Sequence, residues 1–359
     1  MKKSENKVNI NIVTVYQSAN YGSFLQAYSL YSLISEKYPV YMVNAKIRNP
    51  LKNAVIPYIK RWIKGICRLN FKYAKFNRQM LINHFKKFRR IKETTINTAD
   101  GIFIFGSDEI WNLSRKEMNR YPILWGEGIN SIGNLAYAPS VNGCEKHLLQ
   151  NGTFPENINK FIALSGRDEY TCQTLSQLTQ HPVMKVLDPT MLYAKSDYIH
   201  DFSQTKHRHL HNYIAVYLFE VDENTITIVK EFAKKVGKKL ISIGVWASWC
   251  DEVITDINPF AYYIDADYVI TNTFHGTAFA INLGKQFVSF SRGKSKIREL
   301  LSDYNLLDRD ASSVSDLQVI FDNLIDYSTI EKQIELNRKK SLDYLFGTLE
   351  RIEHDSENH

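Results

Sequence analysis

The residues best suited to chemistry occur in short polar runs, each placed directly after a hydrophobic one. Thr271-Asn272-Thr273-Phe274-His275-Gly276-Thr277 is the sharpest of these. An apolar strand ends there, and Gly276, Thr277 and Ala278 open a helix, so His275 falls at a helix N-terminus. The backbone N–H groups at such an end favour a phosphate or a carboxylate. Its partial positive charge disfavours imidazolium until an anionic ligand restores the proton, and a His so held suits general acid catalysis. A His that only caps a core helix is the plainer alternative.

Other runs add complementary groups. Arg167 follows the apolar run 158–164 and offers bidentate recognition of a carboxylate or phosphate; an exposed salt bridge to Asp168 or Glu169 explains it as simply. Gly106-Ser107-Asp108-Glu109-Ile110-Trp111-Asn112 puts a carboxylate and an aromatic face at a strand end. A sugar wants both: Asp108 accepts from hydroxyls or acts as general base, with Ser107 beside it, and Trp111 covers the apolar face of the ring. A turn and a core Trp are the alternative. Asn20-Tyr21-Gly22-Ser23 precedes a helix, with Ser23 as its expected N-cap, Gly22 allowing close backbone approach, and Gln26 one turn on. Lys294, Lys296 and Arg298 follow the last strand and add positive potential there, or simply solvate a helix start. No GxGxxG or GxxxxGK[ST] run exists, and Gly126-Glu127-Gly128 completes neither. His207, His209 and His211 alternate, but without an adjacent Cys or carboxylate they read better as a solvated linker than as a metal site.

The elements that position these groups alternate between strand and helix, as in parallel α/β folds. Strands are expected at Val8–Tyr16, Val40–Val43, Ile102–Phe105, Leu135–Ala138 and Val183–Leu187, then at Tyr213–Leu218, Leu240–Ile243, Tyr268–Ile270 and Phe287–Phe290. Helices are expected at Ser23–Ser35, Asp168–Leu178, Glu223–Val236, Pro259–Ile264, Gly276–Leu283 and Lys296–Tyr304, with a long amphipathic one over Ile330–Ile352. The fold class is therefore α/β: two Rossmann-like domains facing a cleft, with a long C-terminal helix. The expected boundaries are 1–202 for an N-terminal, acceptor-side domain carrying a basic helical insert at 46–92, then a linker at 203–212. A C-terminal, donor-side domain at 213–329 and a terminal helix and tail at 330–359 complete the chain. Ligands of such sheets bind outside the carboxyl ends of the strands, where the polar runs lie.

Composition narrows the class. At 359 residues the chain exceeds one comfortable core, and 44% apolar with 23% charged content excludes wholesale disorder, collagen-like repeats and coiled coils. No run approaches the roughly 18 apolar residues of a membrane span. The charged start is not a signal peptide, and four scattered cysteines without CxxC pairs point to a reducing, cytoplasmic location. The net charge of +7 is local in origin. No acid lies between Glu36 and Glu93, and fifteen bases fall from Lys46 to Lys92; without them 30 bases face 38 acids, a net of −8. Within that stretch Ile59, Trp62, Ile63 and Ile66 form one helical stripe beside Lys60, Arg61 and Lys64. A basic amphipathic helix of this kind suits an anionic membrane surface. The alternatives are a helix pair packing its stripe into the core, or another polyanion; no nucleic-acid recognition motif accompanies the charge.

Taken in order, the runs resemble the polysaccharide pyruvyltransferase family: Asn20 to Tyr28, Gly106 to Asn112, Ala138-Pro139-Ser140, Arg167-Asp168-Glu169 with Asp188-Pro189, and Asn272 to Thr277. The resemblance implies a GT-B-like fold, with phosphoenolpyruvate as donor and a saccharide, commonly lipid-linked, as acceptor. It implies a pyruvate ketal as product in capsular, exopolysaccharide or cell-wall glycan biosynthesis, with no cofactor or metal required. On that reading His275 is the acid and Asp108 orients or deprotonates a hydroxyl. Arg167, Thr273, Gly276, Thr277, Arg292, Lys294 and Arg298 serve the donor, and Asn20, Tyr21, Gly22, Ser23, Gln26, Ser107 and Trp111 the acceptor. Members often carry Arg two positions before this His. Thr273 stands there instead, so a phosphate or carboxylate contact is either missing or supplied elsewhere, by Arg292, Lys294 or Arg298. Two rivals stand beside this reading: a GT-B glycosyltransferase using a nucleotide sugar, and a non-catalytic saccharide-binding member. The peripheral location at the inner face of the cell membrane follows from the basic segment and a lipid-linked acceptor.

Overall fold

The computed structural model describes residues 7–18, 20–45, 55–202, 210–256 and 259–357. The expected linker at 203–212 lies largely outside them, as do Lys46, Arg48, Lys52, His207 and His209. The chain divides into two compact units: Met1–Pro50, Phe88–Leu192 and Leu336–His359 form the first, and Leu51–Lys87 with Tyr193–Glu335 the second.

Each unit is built on a five-stranded parallel sheet. In the first, β1 (Ile10–Val13), β2 (Val40–Val43), β3 (Glu93–Thr94), β4 (Ile102–Phe105) and β5 (Gly133–Ala136) run in the order β3-β2-β1-β4-β5. A parallel pair, β6 (Leu164–Gly166) and β7 (Val183–Lys185), follows, tied on by a bridge from Leu135 to Ala163. In the second unit, β8 (Tyr213–Tyr217), β9 (Lys239–Ile243), β10 (Glu252–Ile254), β11 (Tyr268–Thr271) and β12 (Gln286–Ser289) take the order β10-β9-β8-β11-β12. Both orders are Rossmann-like, and both reverse direction once, between β1 and β4 and between β8 and β11.

The strand sequences explain this layering. Side chains alternate along a strand, and a parallel sheet buried on both faces needs apolar residues on both. Ile102 and Ile104 enter one core with Ile10, Ile12, Leu30 and Ile34, whereas Phe103 and Phe105 enter another with Trp111, Phe154 and Phe161. In the second unit Ile214, Val216, Ile270 and Val288 pack with Val229 and Phe232.

Two segments depart from the boundaries expected from sequence. The helices Ile56–Cys67 and Phe71–Phe88 were expected as an insert of the first domain. As far as Lys87 they belong to the second unit instead, where Tyr73 and Phe76 meet Trp246 at ring distances of 5.1 and 5.4 Å. The terminal helix spans Tyr327–Glu357, and the division between units falls inside it. Leu345, Leu349 and Ile352 from its later half complete the first unit's core. The stripe Ile59–Ile66 is not core either: Ile63 is 52% and Ile66 44% exposed.

Candidate functional site

The strand ends of the first unit converge on a buried polar network. Thr14, just past β1, donates to the Ser107 carbonyl, and the Ser107 hydroxyl lies 2.9 Å from Gln26 Oε1 and 3.4 Å from Asp188 Oδ2. The Gln26 amide donates to the Ser23 carbonyl at 2.8 Å. Arg167, beyond β6, donates from Nη1 to Asp188 Oδ2 at 3.0 Å, and both side chains are almost fully buried. Burial works against the guanidinium charge, but Asp188, then Asp108, Asp168 and Glu109, outweigh it and hold the pKa above the ordinary arginine value. Asp188 also accepts from the Thr190 amide and hydroxyl. A low-dielectric interior strengthens such a network while every member stays bonded.

This geometry reassigns several expected acceptor and donor contacts. Trp111 cannot cover a sugar ring: it is wholly buried, its indole N–H donates to the Leu124 carbonyl at 2.8 Å, and Phe154 and Phe161 pack edge-on to it. Gln26 and Ser107 are fully buried and Tyr21 nearly so. They position the turn and do not present a surface. The Arg167 side chain is buried and bonds Asp188. Asp168 instead caps the helix Glu169–Ser176 and accepts from the Ser140 hydroxyl at 2.6 Å. Nor is Ser23 the N-cap expected of it. The helix runs Tyr21–Ser35, and Asn20 caps it by accepting from the Gly22 amide at 2.8 Å. The accessible groups at this edge are therefore Asn20, which is exposed, and Asp108, which is half-buried.

Asp108 sits where β4 ends, on the reversal of strand order. Its backbone is left-handed at φ 72°, and Gly106 before it has φ 123°. A Cβ on Gly106 would collide with the Tyr137 carbonyl. A non-glycine residue held left-handed stores strain, and such residues gather at functional sites. The Asp108 carboxylate accepts from the Glu109 amide at 2.8 Å, and its carbonyl from Ser140 at 2.9 Å, which fixes the turn against β5.

The second unit repeats the arrangement at its own reversal point. Asn272, after β11, both donates to and accepts from the Phe219 backbone after β8, at 2.6 and 3.0 Å. Thr273 caps the helix Phe274–Asn282, accepting from the Gly276 amide at 2.9 Å. The helix therefore opens two residues earlier than expected, and His275 occupies its second position. A Cβ at Gly276 would collide with the Thr271 hydroxyl, so the tight turn depends on glycine there. Thr277 is buried, donating back to the Thr273 carbonyl at 2.9 Å and lying 2.8 Å from Ser289 Oγ. His275 is 9% exposed, with the Phe274 ring edge-on at 5.4 Å.

The three candidate cations differ in commitment. Arg292, left-handed at φ 47°, bonds Asp222, Thr225 and the Glu220 carbonyl. Arg298 reaches Asp310 at 3.3 Å. Lys294 bonds only the Asn272 carbonyl, at 3.0 Å, with no carboxylate in ion-pair range among the described residues. Its ammonium thus lies at the foot of the His275 helix. Burial first, then Lys296 and Arg292, lower its pKa, with Glu220 opposing. The sequence marked these turns through their polar residues after apolar strands. Asp188 was marked with Pro189 at a strand end, whereas Asp222 and Asp310, the partners of Arg292 and Arg298, carried no such mark.

The fold and site define an α/β protein with a polar surface at each of two strand-order reversals, one of them a capped helix N-terminus with a histidine and a lysine. The polysaccharide pyruvyl transferase family model matches residues 20–294, and the chain belongs to that family. It is accordingly an enzyme, a transferase of polysaccharide biosynthesis with a saccharide acceptor. No curated protein matches it. Among solved structures it is similar to the UDP-GlcNAc 2-epimerase of Neisseria meningitidis bound to UDP-GlcNAc, at 9% identity over 93% of each chain with a TM-score of 0.47. The Methanocaldococcus jannaschii UDP-GlcNAc 2-epimerase is 8% identical over 82% of this chain and 86% of that one, with a TM-score of 0.45. A Glycyrrhiza uralensis protein complexed with glycyrrhetinic acid 3-O-monoglucuronide is 7% identical over 98% and 97%, with a TM-score of 0.49.

Proposed function

We propose that this enzyme moves the enolpyruvyl group of phosphoenolpyruvate onto two hydroxyls of a saccharide, forming a pyruvate ketal on a lipid-linked capsular, exopolysaccharide or cell-wall glycan. The observation that carries the donor is the capped N-terminus of Phe274–Asn282, with His275 on its second residue and Lys294 bonded at its foot. Helix amides and a lysine with no carboxylate partner suit a trianionic ligand. Thr273 uses its side chain as the cap, and Lys294 supplies the cation that the family's Arg would bring.

The chemistry then follows in two additions. His275 protonates the methylene carbon of the enol, which creates oxocarbenium character at the adjacent carbon. One sugar hydroxyl adds there, and a second displaces phosphate. Of the two hydroxyl protons released, one balances that delivered to the new methyl group and the other leaves with phosphate. No redox cofactor or metal enters this balance. In the first unit Asp108 orients or deprotonates a hydroxyl, and Asn20 lies on the same edge to bind the acceptor.

Phosphate release from phosphoenolpyruvate with a lipid-linked oligosaccharide tests the acid. His275→Ala and His275→Gln are expected to lose about 10²–10⁴-fold in turnover while still binding phosphoenolpyruvate. A wild-type rate in either would remove His275 from this role.

A further inference from the structure

We propose that the helical hairpin formed by Ile56–Cys67 and Phe71–Phe88 docks the enzyme onto an anionic lipid surface, inserting apolar residues from its tip among the headgroups. The inference goes beyond the donor assignment and stands independently of it. The first helix packs through Tyr58, which is buried, and through Gly65. A Cβ on Gly65 would stand 2.9 Å from the Ala74 amide nitrogen, so glycine lets the two helices approach closely. At 3.6 residues per turn Ile56 and Ile63 then point away from this contact. They are 41% and 52% exposed, and the apolar face continues through Ile66 to the tip, where Leu69 is 76% and Phe71 65% exposed. Single exposed apolar residues are ordinary, but a contiguous set on one hairpin marks an interaction surface.

Charge selects the occupant. Lys60, Lys64, Arg68 and Lys72 are exposed around this patch, and no acid occurs between Glu36 and Glu93. Among the described residues none of these four is paired with a carboxylate. A second copy of the chain would have to bring the same bases against themselves across a two-fold interface, which like-charge repulsion opposes. A nucleic acid would match the bases but leave the apolar tip in water. An anionic bilayer matches both, with ammonium and guanidinium groups at the phosphates and apolar side chains at the acyl boundary.

The protein offers a built-in reporter, because Cys67 is its one exposed cysteine among the described residues while Cys144, Cys172 and Cys250 are buried. A polarity-sensitive fluorophore on Cys67 and co-sedimentation would be followed with vesicles of phosphatidylcholine alone and mixed with phosphatidylglycerol. Expected are binding to the anionic vesicles only, weakening with salt, and a blue shift of the probe. Changing Lys60, Arg61 and Lys64 together to Gln should lower partitioning on the order of 100-fold. Leu69→Ser with Phe71→Ser should abolish the blue shift. All five positions are solvent-facing, so unchanged thermal midpoints show that the variants fold. No binding, equal binding to both vesicle types, or sedimentation untouched by the triple change overturns the proposal. A blue shift that grows with protein concentration in the absence of lipid overturns it in favour of a second copy.

Discussion

Lys294 and Arg167 show how a charge is read differently once its partners are known. Both sit at strand ends, but Arg167 is spoken for by Asp188 and Lys294 bonds only a carbonyl. Lys294→Ala is therefore expected to weaken phosphoenolpyruvate binding about 10-fold or more, as loss of a charge-assisted contact to a charged group does. The pH dependence follows from the lowered lysine pKa: the ammonium binds the anion, so affinity is held at low pH and lost as pH rises, starting below the ordinary value of 10.5. Calorimetry across neutral to alkaline pH checks this, and Lys294→Arg should move the loss to higher pH; an unchanged profile in that variant would contradict the assignment. Arg167→Ala strands Asp188 in the interior, which costs about 3–5 kcal/mol. Differential scanning calorimetry should show a fall on the order of 10 °C in the first unit's unfolding. Neither distinction was legible in the sequence, because the deciding partners lie 21 residues from Arg167 and 70 from Arg292.

Elements whose cues are local were legible. Ile102–Phe105 is a run of four apolar residues between Gly101 and Gly106 and forms the strand it suggests. Glu223–Val236 begins at an Asp222 cap and ends at a left-handed Gly237, as its sequence indicates. The basic segment was legible as helical, but not which side chains its second helix buries. Phe71–Phe88 buries Asn77, Asn83, His84 and Lys87 and exposes Phe71 and Phe85. Burial lowers the Lys87 pKa to about 7, and burial followed by the Lys87 charge lowers that of His84 to about 4. Between the folded value of about 7 and the ordinary 10.5, the unfolded chain binds the extra proton, so stability rises with pH across that window. Below it the buried ammonium costs on the order of 5 kcal/mol. Thermal unfolding is thus expected to shift upward from neutral pH to pH 9 in the wild type. Lys87→Met should be more stable at neutral pH and should lose that part of the slope; an identical slope would show that Lys87 does not carry it.

At the scale of the molecule, one topology is used twice, and each copy places its polar turn where strand order reverses. In the first unit that point carries Asp108 in a strained backbone, and in the second it carries Thr273, His275 and the Lys294 contact. The sequence showed the two sheets through alternating strand and helix signals. It did not show that the helices over 56–87 belong to the second unit or that the helix Tyr327–Glu357 completes the first core, since both are packing choices between distant segments. The central claim is the donor, and calorimetric titration of the wild-type protein with phosphoenolpyruvate, run beside UDP- and GDP-sugars, tests it most directly. Specific binding of phosphoenolpyruvate is expected, weakened by Lys294→Ala, with no binding of the nucleotide sugars. Binding of a nucleotide sugar with none of phosphoenolpyruvate would contradict it.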